Sequence, residues 1–303
     1  MTTRVRCVAA LVVALALVGG CSSSAATKGA AITTPTITTT RPIPRYREPV
    51  FADVVVTKDI AYGEAPGVGG APESLKLDLY QPKGDTATKR ALAIFVHGGG
   101  FGSGDKAIGV SPDLATSFAK LGYVTASINY RLLAPGGCVG SGVGQAVCQA
   151  AAIGGVHDGQ AAVRFLRAHA ATYGIDPDRI GIGGESAGAI VACGTGVRSV
   201  APGDRGTPRA SSAVQVWMSL SGGLPGGVYA SAGDAPGILF SGTSDPIVPY
   251  SWSVQTRDAL TKANVPVQLV TYDGAGHVPY VVHRSDIIQK TIDFFFTYLG
   301  GHQ

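Results

Sequence analysis

RIGIGGESAGAI, at residues 179–190, is the stretch that decides the fold. Its alternating isoleucines predict a buried strand, and the Gly-x-Ser-x-Gly pattern that follows is centred on Ser186. Glycines flank this serine at positions 184 and 188, where a larger side chain would collide with crossing backbone in a tight strand-to-helix turn. Small residues then open a helix whose positive N-terminus points at the serine. The stretch therefore predicts a nucleophile elbow.

Strands and helices alternate along the rest of the chain. Besides the elbow strand, apolar runs predict strands at 54–62, 75–80, 91–96, 123–129, 213–220, 237–242 and 265–272. Helices are predicted at about 111–121, 252–264 and 285–299, and another begins after a long loop over 130–155, with Asp158 as its N-cap. Because the strands are almost continuously apolar, we expect a mostly parallel eight-stranded α/β sheet with helices on both faces. The first two strands can pair antiparallel.

Reactive side chains are expected just after strands, because sites in such sheets form at the carboxyl ends of the strands. The run 97–100, His-Gly-Gly-Gly, follows the third predicted strand, and its glycines let two backbone N–H groups point at one anion. Asp245 follows the seventh strand and His277 the eighth. In this interpretation His277 takes the proton of Ser186, and Asp245 orients the imidazole and stabilises its charged form.

Other assignments of these roles remain open. Asp273 is nearer to His277 in sequence than Asp245 is, but the residue that orients a base usually comes from a different loop. Glu185 is a candidate general acid, although a supporting or surface carboxylate is the preferred interpretation. His97 is interpreted as a structural residue that braces its loop. The pattern has neither metal-ligand spacing nor a phosphate-binding loop, so it predicts no metal and no cofactor.

Five motifs together resemble the esterase/lipase branch of the α/β-hydrolases, which includes hormone-sensitive-lipase-like and feruloyl-esterase-like carboxylesterases. They are His97-Gly98-Gly99-Gly100-Phe101, Asn129-Tyr130-Arg131-Leu132, Asp176-Pro177-x-Arg179-Ile180, Gly184-Glu185-Ser186-Ala187-Gly188 and Asp245-x-x-Val248-Pro249. The resemblance implies an α/β-hydrolase domain over residues 50–303 with the catalytic residues Ser186, Asp245 and His277. It also implies an oxyanion hole made by the N–H groups of Gly99, Gly100 and Ala187. Strands replace the N-terminal helical cap of hormone-sensitive-lipase-like members, so a minimal cap or none is expected.

The function implied is a serine carboxylesterase that acts on a small-molecule ester through an acyl-enzyme. The same catalytic groups also serve amide or peptide hydrolases and arylformamidase-like enzymes, which stay open as alternatives. A catalytically inactive hydrolase fold that binds envelope components is a further alternative. Segment 221–236, after the sixth strand, is too short and too polar for a lid helix, so an open cleft and a preference for acetyl to hexanoyl esters are expected.

The N-terminus is typical of an exported protein. Residues 1–20 combine Arg4 and Arg6 with an apolar run over 7–18, shorter than the roughly twenty residues that span a bilayer. Val18-Gly19-Gly20-Cys21 resembles a bacterial lipobox, which implies lipidation at Cys21 and anchoring at a membrane surface; simple secretion is the alternative. Residues 21–49, rich in Ser, Thr and Pro, are interpreted as a disordered tether.

Cysteine and charge content add two expectations. Cys138 and Cys148 lie in a Gly-rich segment of a chain bound for an oxidising compartment, so a disulfide is favoured over two free thiols. Cys193 is expected to be a small buried apolar residue. The formal net charge of +4 is dispersed along the chain, with no basic run, which gives no support to nucleic-acid binding.

Overall fold

The structure, a computed structural model, describes residues 45–138, 142–198, 201, 203, 206–207, 209–224 and 230–300. The predicted signal peptide, Cys21 and the predicted tether up to residue 44 lie outside these ranges. Within them, no helix is both long enough and apolar enough to span a bilayer.

An eight-stranded sheet runs through the described residues in the order β1-β2-β4-β3-β5-β6-β7-β8. The strands are β1 (Val54–Pro66), β2 (Pro72–Pro82), β3 (Arg90–Val96), β4 (Val124–Ile128), β5 (Ile175–Glu185), β6 (Val216–Leu220), β7 (Gly237–Gly242) and β8 (Val267–Tyr272). The pairs β1–β2 and β2–β4 are antiparallel, and the other pairs are parallel. The predicted fold class is therefore confirmed.

Helices cover both faces of the sheet. They are α1 (Val110–Lys120), α2 (Gln145–Ala168), α3 (Ala170–Tyr173), α4 (Ala187–Gly196), α5 (Tyr250–Lys262) and α6 (Tyr280–Phe295). Strand β3 is buried along its whole length and divides its side chains by the two-residue period of a strand. Leu92, Ile94 and Val96 join the core beneath α2 and α4, whereas Ala93 and Phe95 join the core beneath α1 and α6.

Helix α2 differs most from the structure predicted from the sequence. This helix begins at Gln145, so the predicted loop over 130–155 is wrong from residue 145 onward. Asp158 is not an N-cap; it is fully buried inside α2, where it pairs with Arg131. The helix tolerates its glycines because α4 packs closely there: a Cβ atom at Gly155 would lie 2.9 Å from a methyl group of Val191.

The folded domain also begins before residue 50, so the last residues assigned to the tether are misassigned. Tyr46 is fully buried, its ring centroid lies 4.6 Å from that of Tyr123, and its N–H donates to the Leu121 carbonyl at 2.8 Å. The Arg45 guanidinium donates to the Asp85 carboxylate. An apolar ring and a paired charge therefore hold residues 45 and 46 against the domain.

Candidate active site

The predicted elbow stands between β5 and α4. Ser186 has φ +52° and ψ −118°, an unusual conformation for a residue with a side chain. A Cβ atom at Gly184 would lie 2.4 Å from the Gly188 carbonyl oxygen, and one at Gly188 would lie 2.1 Å from the Val96 carbonyl oxygen. The Ser186 N–H donates to the Leu220 carbonyl at 2.8 Å, which ties the turn to β6. The flanking glycines thus have the steric role that the sequence indicated.

The structure brings the three predicted catalytic side chains together. His277 Nε2 lies 2.9 Å from Ser186 Oγ, and His277 Nδ1 lies 2.8 Å from Asp245 Oδ2. The Asp245 side chain is fully buried, whereas that of His277 is 18% exposed. In this arrangement the carboxylate accepts a hydrogen bond from Nδ1–H, which leaves the lone pair of Nε2 free to accept the serine proton. The alternative orienting residue, Asp273, is exposed and has no such contact with His277.

Backbone contacts fix the two loops that carry the acid and the base. Asp245 Oδ1 accepts from the N–H groups of Ile247 at 2.8 Å and Val248 at 3.0 Å. The Ser244 N–H donates to the Ala275 carbonyl at 3.0 Å, so the loop after β7 lies directly against the loop after β8. The carboxylate is therefore held from one side by amides while its second oxygen faces His277.

The predicted oxyanion donors face the same cleft as the serine. Gly99 and Gly100 have φ +115° and +60°, and a Cβ atom at Gly99 would lie 2.0 Å from the Ser103 carbonyl oxygen. Ala187 is the first residue of α4, so its N–H has no partner within the helix. None of these three N–H groups donates to an acceptor among the described residues. They are therefore available to an oxygen atom bound beside Ser186.

His97 braces the glycine run, as the sequence indicated. It is almost fully buried, its ring stacks on Tyr130 with centroids 4.6 Å apart, and its Nδ1 lies 2.7 Å from the Gly98 carbonyl oxygen. That contact requires a proton on Nδ1, because a carbonyl oxygen only accepts. Burial lowers the pKa of the His97 imidazole, which favours this neutral form.

Glu185 is a supporting carboxylate in the cleft wall. Its Oε1 accepts a long hydrogen bond of 3.5 Å from the Gly98 N–H. Burial raises the pKa of the Glu185 carboxyl above its usual value, while backbone hydrogen bonds from Gly98 and Val110 oppose that rise. Glu185 therefore links the elbow to the start of the glycine run.

One positioning residue escaped the sequence interpretation. Ser221, directly after β6, is fully buried and accepts from the Val278 N–H at 2.9 Å through its hydroxyl. It thereby holds the residue that follows His277, and both Ser221 and Val278 have positive φ. Its place at the carboxyl end of a strand was a usable signal, but a serine before two glycines suggests an ordinary turn.

A cleft of about 840 Å³ opens above Ser186. Its lining includes residues 136–138, the first turns of α2, and three residues in or just before α5, which are Ile247, Val248 and Trp252. The larger apolar residues that line it are Phe101, Ile108, Ile190, Ile247, Val248, Trp252 and Val278. The predicted lid-free segment 221–236 has no helix in its described parts, 221–224 and 230–236. No group of three or more potential metal ligands occurs in the described residues.

The predicted cysteine pair lies in one wall of this cleft. The Cα atoms of Cys138 and Cys148 are 5.6 Å apart, a separation typical of a disulfide, and their sulfur atoms are bonded in the structure. Cys193 is a buried free thiol on α4, and burial raises its pKa far above the usual value. It is therefore the apolar residue that was expected.

Two family models match parts of the chain. Residues 77–203 match the family model described as BD-FAE, and residues 219–300 match the model of the TAP-like proteins. The chain is 28% identical over 300 residues to the probable isoprenylcysteine alpha-carbonyl methylesterase ICMEL1 of Arabidopsis thaliana. That alignment covers 84% of this chain, which spans only 58% of the length of the plant protein.

Solved structures of esterases have the same fold. Esterase 2 of Thermogutta terrifontis phosphonylated by cyclosarin superimposes with a TM-score of 0.62 at 26% identity, over 79% of this chain and 94% of that chain. The same esterase with butyrate bound gives a TM-score of 0.61 at 25% identity, over 80% of this chain and 96% of that one.

Proposed function

The chain belongs to the esterase family of the α/β-hydrolases, and on that premise we propose that it is a serine carboxylesterase. One observation carries the proposal: the unbroken hydrogen-bonded line from Asp245 through His277 to Ser186, with distances of 2.8 and 2.9 Å. A nucleophile, a base and an orienting acid in this geometry are what acyl transfer requires.

In the proposed reaction, Ser186 Oγ attacks the ester carbonyl carbon while His277 Nε2 takes the hydroxyl proton. The carbonyl oxygen becomes an oxyanion and accepts hydrogen bonds from the N–H groups of Gly99, Gly100 and Ala187. His277 then gives its proton to the alkoxy oxygen, the alcohol leaves, and an acyl-enzyme remains. Water then attacks the acyl carbon while His277 Nε2 takes its proton. The bond from the acyl carbon to Ser186 Oγ breaks, His277 returns the proton to Oγ, and the acid leaves.

The proposed substrates are esters with short acyl chains, and the cleft supports this choice. Its volume lies within the range of about 300–1,000 Å³ that is usual for pockets that bind small organic molecules. Phe101 and Ile190 offer apolar surface close to the nucleophile, and each methylene buried there adds about 0.8 kcal/mol to binding until the wall ends. The butyrate complex of the solved relative is consistent with a short acyl group. A methyl ester of an apolar acid belongs in the same substrate panel, since the plant relative is described as a methylesterase.

The test is hydrolysis by purified protein. We expect turnover of p-nitrophenyl acetate and butyrate, labelling by a fluorophosphonate probe, and loss of both in Ser186→Ala. Matched anilides and formylkynurenine distinguish the ester function from the amide and arylformamidase alternatives. A folded wild-type protein that neither reacts with the probe nor hydrolyses any of these substrates would favour an inactive, ligand-binding hydrolase fold.

We also propose that the domain is exported and held at a membrane surface by lipid on Cys21. The lipobox-like sequence before Cys21 and the cysteine pair of the domain support this location. The full-length protein should partition into the detergent phase of a bacterial membrane extract, and Cys21→Ser should return it to the aqueous phase. A wild-type protein found only in the aqueous phase would contradict lipidation and favour the alternative, secretion without a lipid anchor.

A further inference from the structure

The glycine run that carries two of the oxyanion donors is not rigid by composition. Glycine populates positive and negative φ with similar ease, so residues 98–100 can adopt many conformations unless contacts select one. An oxyanion hole is effective only when its N–H groups are already aimed at the developing charge. The contacts that fix this run therefore determine how well the site is organised.

The segment that precedes the first cysteine supplies part of those contacts. The Cys138 N–H donates to the Gly100 carbonyl at 2.9 Å, and the Ala134 N–H donates to the Phe101 carbonyl at 3.0 Å. The two segments are in backbone contact, since a Cβ atom at Gly102 would lie 2.1 Å from the Ala134 carbonyl oxygen. Cys138 thus fixes the peptide plane directly after Gly100. The Gly100 N–H lies in the preceding plane, which is held through the Gly99 carbonyl by the Gly102 N–H at 3.1 Å, and Gly102 itself lies against Ala134.

The second cysteine connects this segment to a rigid part of the fold. Cys148 lies near the start of α2, which packs closely against the elbow helix α4. Cβ atoms at Gly155 and Gly159 would lie 2.9 and 2.7 Å from methyl groups of Val191 on α4. The disulfide therefore connects the helix that packs beside the nucleophile to the segment that holds Gly100.

We propose that the Cys138–Cys148 disulfide is a positioning element of the oxyanion hole: it keeps segment 134–138 against Gly100 and Gly102, and so keeps the turn that carries the Gly100 N–H aimed at the substrate oxygen. The inference rests on the proposed esterase function. Both cysteines line the cleft, so small reductants reach the bond. Dithiothreitol gives two electrons and two protons to the disulfide, which becomes two thiols, and itself closes to a cyclic disulfide.

The experiment compares the wild-type protein, its reduced form and the double variant Cys138→Ser/Cys148→Ser, well below their melting temperatures. Peptide mass mapping without reductant first establishes that the wild-type pair is bonded. Loss of one oxyanion donor costs about 10²–10³ in kcat, so a loosened donor should cost about 10- to 100-fold, with KM changed less than about threefold. The inhibition constant of a trifluoromethyl ketone, whose adduct carries the oxyanion, should rise by the same factor as kcat/KM falls.

A second measurement reports on the loop itself. Amides in peptides covering 99–104 and 134–138 should exchange with deuterium at least about tenfold faster once the bond is broken. Val265→Ala, which removes buried methyl groups beside β8, is the matched control: it should lower Tm while kcat and this exchange stay unchanged. Reductant should change nothing further in the double variant.

The outcomes separate the inference from the function on which it rests. A folded double variant with kcat within about twofold of wild type would overturn the inference and leave the bond as a stabilising cross-link. A change in KM alone would also overturn it and make the bond part of the substrate-binding wall. If wild-type protein hydrolyses no ester, the proposed function is wrong, and the exchange measurement still decides whether the bond fixes the glycine run. Two separately alkylated cysteines in exported protein would overturn the inference.

Discussion

Replacement of Asp245 by asparagine tests the proposed catalytic triad at the residue whose side chain is fully buried. Asp245 Oδ1 accepts from two backbone N–H groups, those of Ile247 and Val248, and Oδ2 accepts from His277 Nδ1. In Asp245→Asn the amide oxygen must stay on the two backbone donors, because its NH₂ group cannot accept from them. The NH₂ group therefore faces His277 Nδ1.

That orientation reverses the roles of the imidazole nitrogens. Nδ1 must now accept a hydrogen bond, so the neutral ring carries its proton on Nε2, the atom 2.9 Å from Ser186 Oγ. A protonated Nε2 cannot take the serine proton. We expect kcat/KM to fall by up to about 10⁴-fold, which corresponds to about 5 kcal/mol of transition-state stabilisation.

The assay measures kcat/KM on p-nitrophenyl acetate and the rate of fluorophosphonate labelling, with circular dichroism to confirm folding. Asp273→Asn is the matched control, because it makes the same chemical change at the exposed carboxylate in the loop of His277, and it should retain activity. Full activity in Asp245→Asn, or a comparable loss in Asp273→Asn alone, would refute the reasoning and move the orienting role to another carboxylate.

Three further predictions follow from the described contacts. In a series of p-nitrophenyl esters, kcat/KM should peak between acetyl and hexanoyl; a maximum at dodecanoyl would contradict an open cleft. Asp158→Ala should lower the free energy of unfolding by about 3–5 kcal/mol, because Arg131 is left buried without its partner, whereas Arg284→Ala, at an exposed pair, should cost less than about 1 kcal/mol in the same denaturant titration. Ser221→Ala should cost about 1–3 kcal/mol and reduce kcat, since a backbone N–H beside the base loses its acceptor. Ser219→Ala, where the buried hydroxyl has no partner among the described residues, should do neither.

The order of the reactive groups was predictable because each follows a strand of a parallel sheet. Carboxyl ends of parallel strands meet at one edge of the sheet. A serine after β5, an acid after β7 and a histidine after β8 therefore converge there, because β7 and β8 are neighbours and only β6 separates them from β5. The patterns at the elbow carry steric information, since Gly184 and Gly188 are positions where added side-chain atoms would collide with backbone. Strand positions were equally accessible, because buried parallel strands are continuously apolar.

The start of α2 was not predictable for a related reason. Residues 145–153 are rich in alanine, but the segment before them is rich in glycine and the helix itself contains Gly154 and Gly155, which weaken any helix signal. Gly155 lets the helix pack against Val191 and Gly154 lets it pack against Leu133, contacts that no local pattern reports. The prediction for Asp158 was wrong for the same reason. Aspartate is a favourable N-cap residue, and only the tertiary structure shows that Asp158 lies inside the helix and pairs with Arg131.

Sequence patterns do not report how the reactive groups are oriented. The hydrogen-bond partners that orient these groups are largely backbone atoms, which almost any residue can supply. The Ser186 N–H donates to the carbonyl of Leu220, and two backbone amides donate to Asp245. The Cys138 N–H donates to the carbonyl of Gly100. A carbonyl or an amide has no signature in the amino-acid letters, so a site can contain every expected side chain and still differ in how firmly it is held. In this chain the proposed positioning of Gly100 depends on residues 134–138, which belong to none of the five motifs that carry the family resemblance. Substitutions in the segment of Cys138 and Cys148 should therefore change kcat/KM even when the three side chains of the catalytic triad are unchanged.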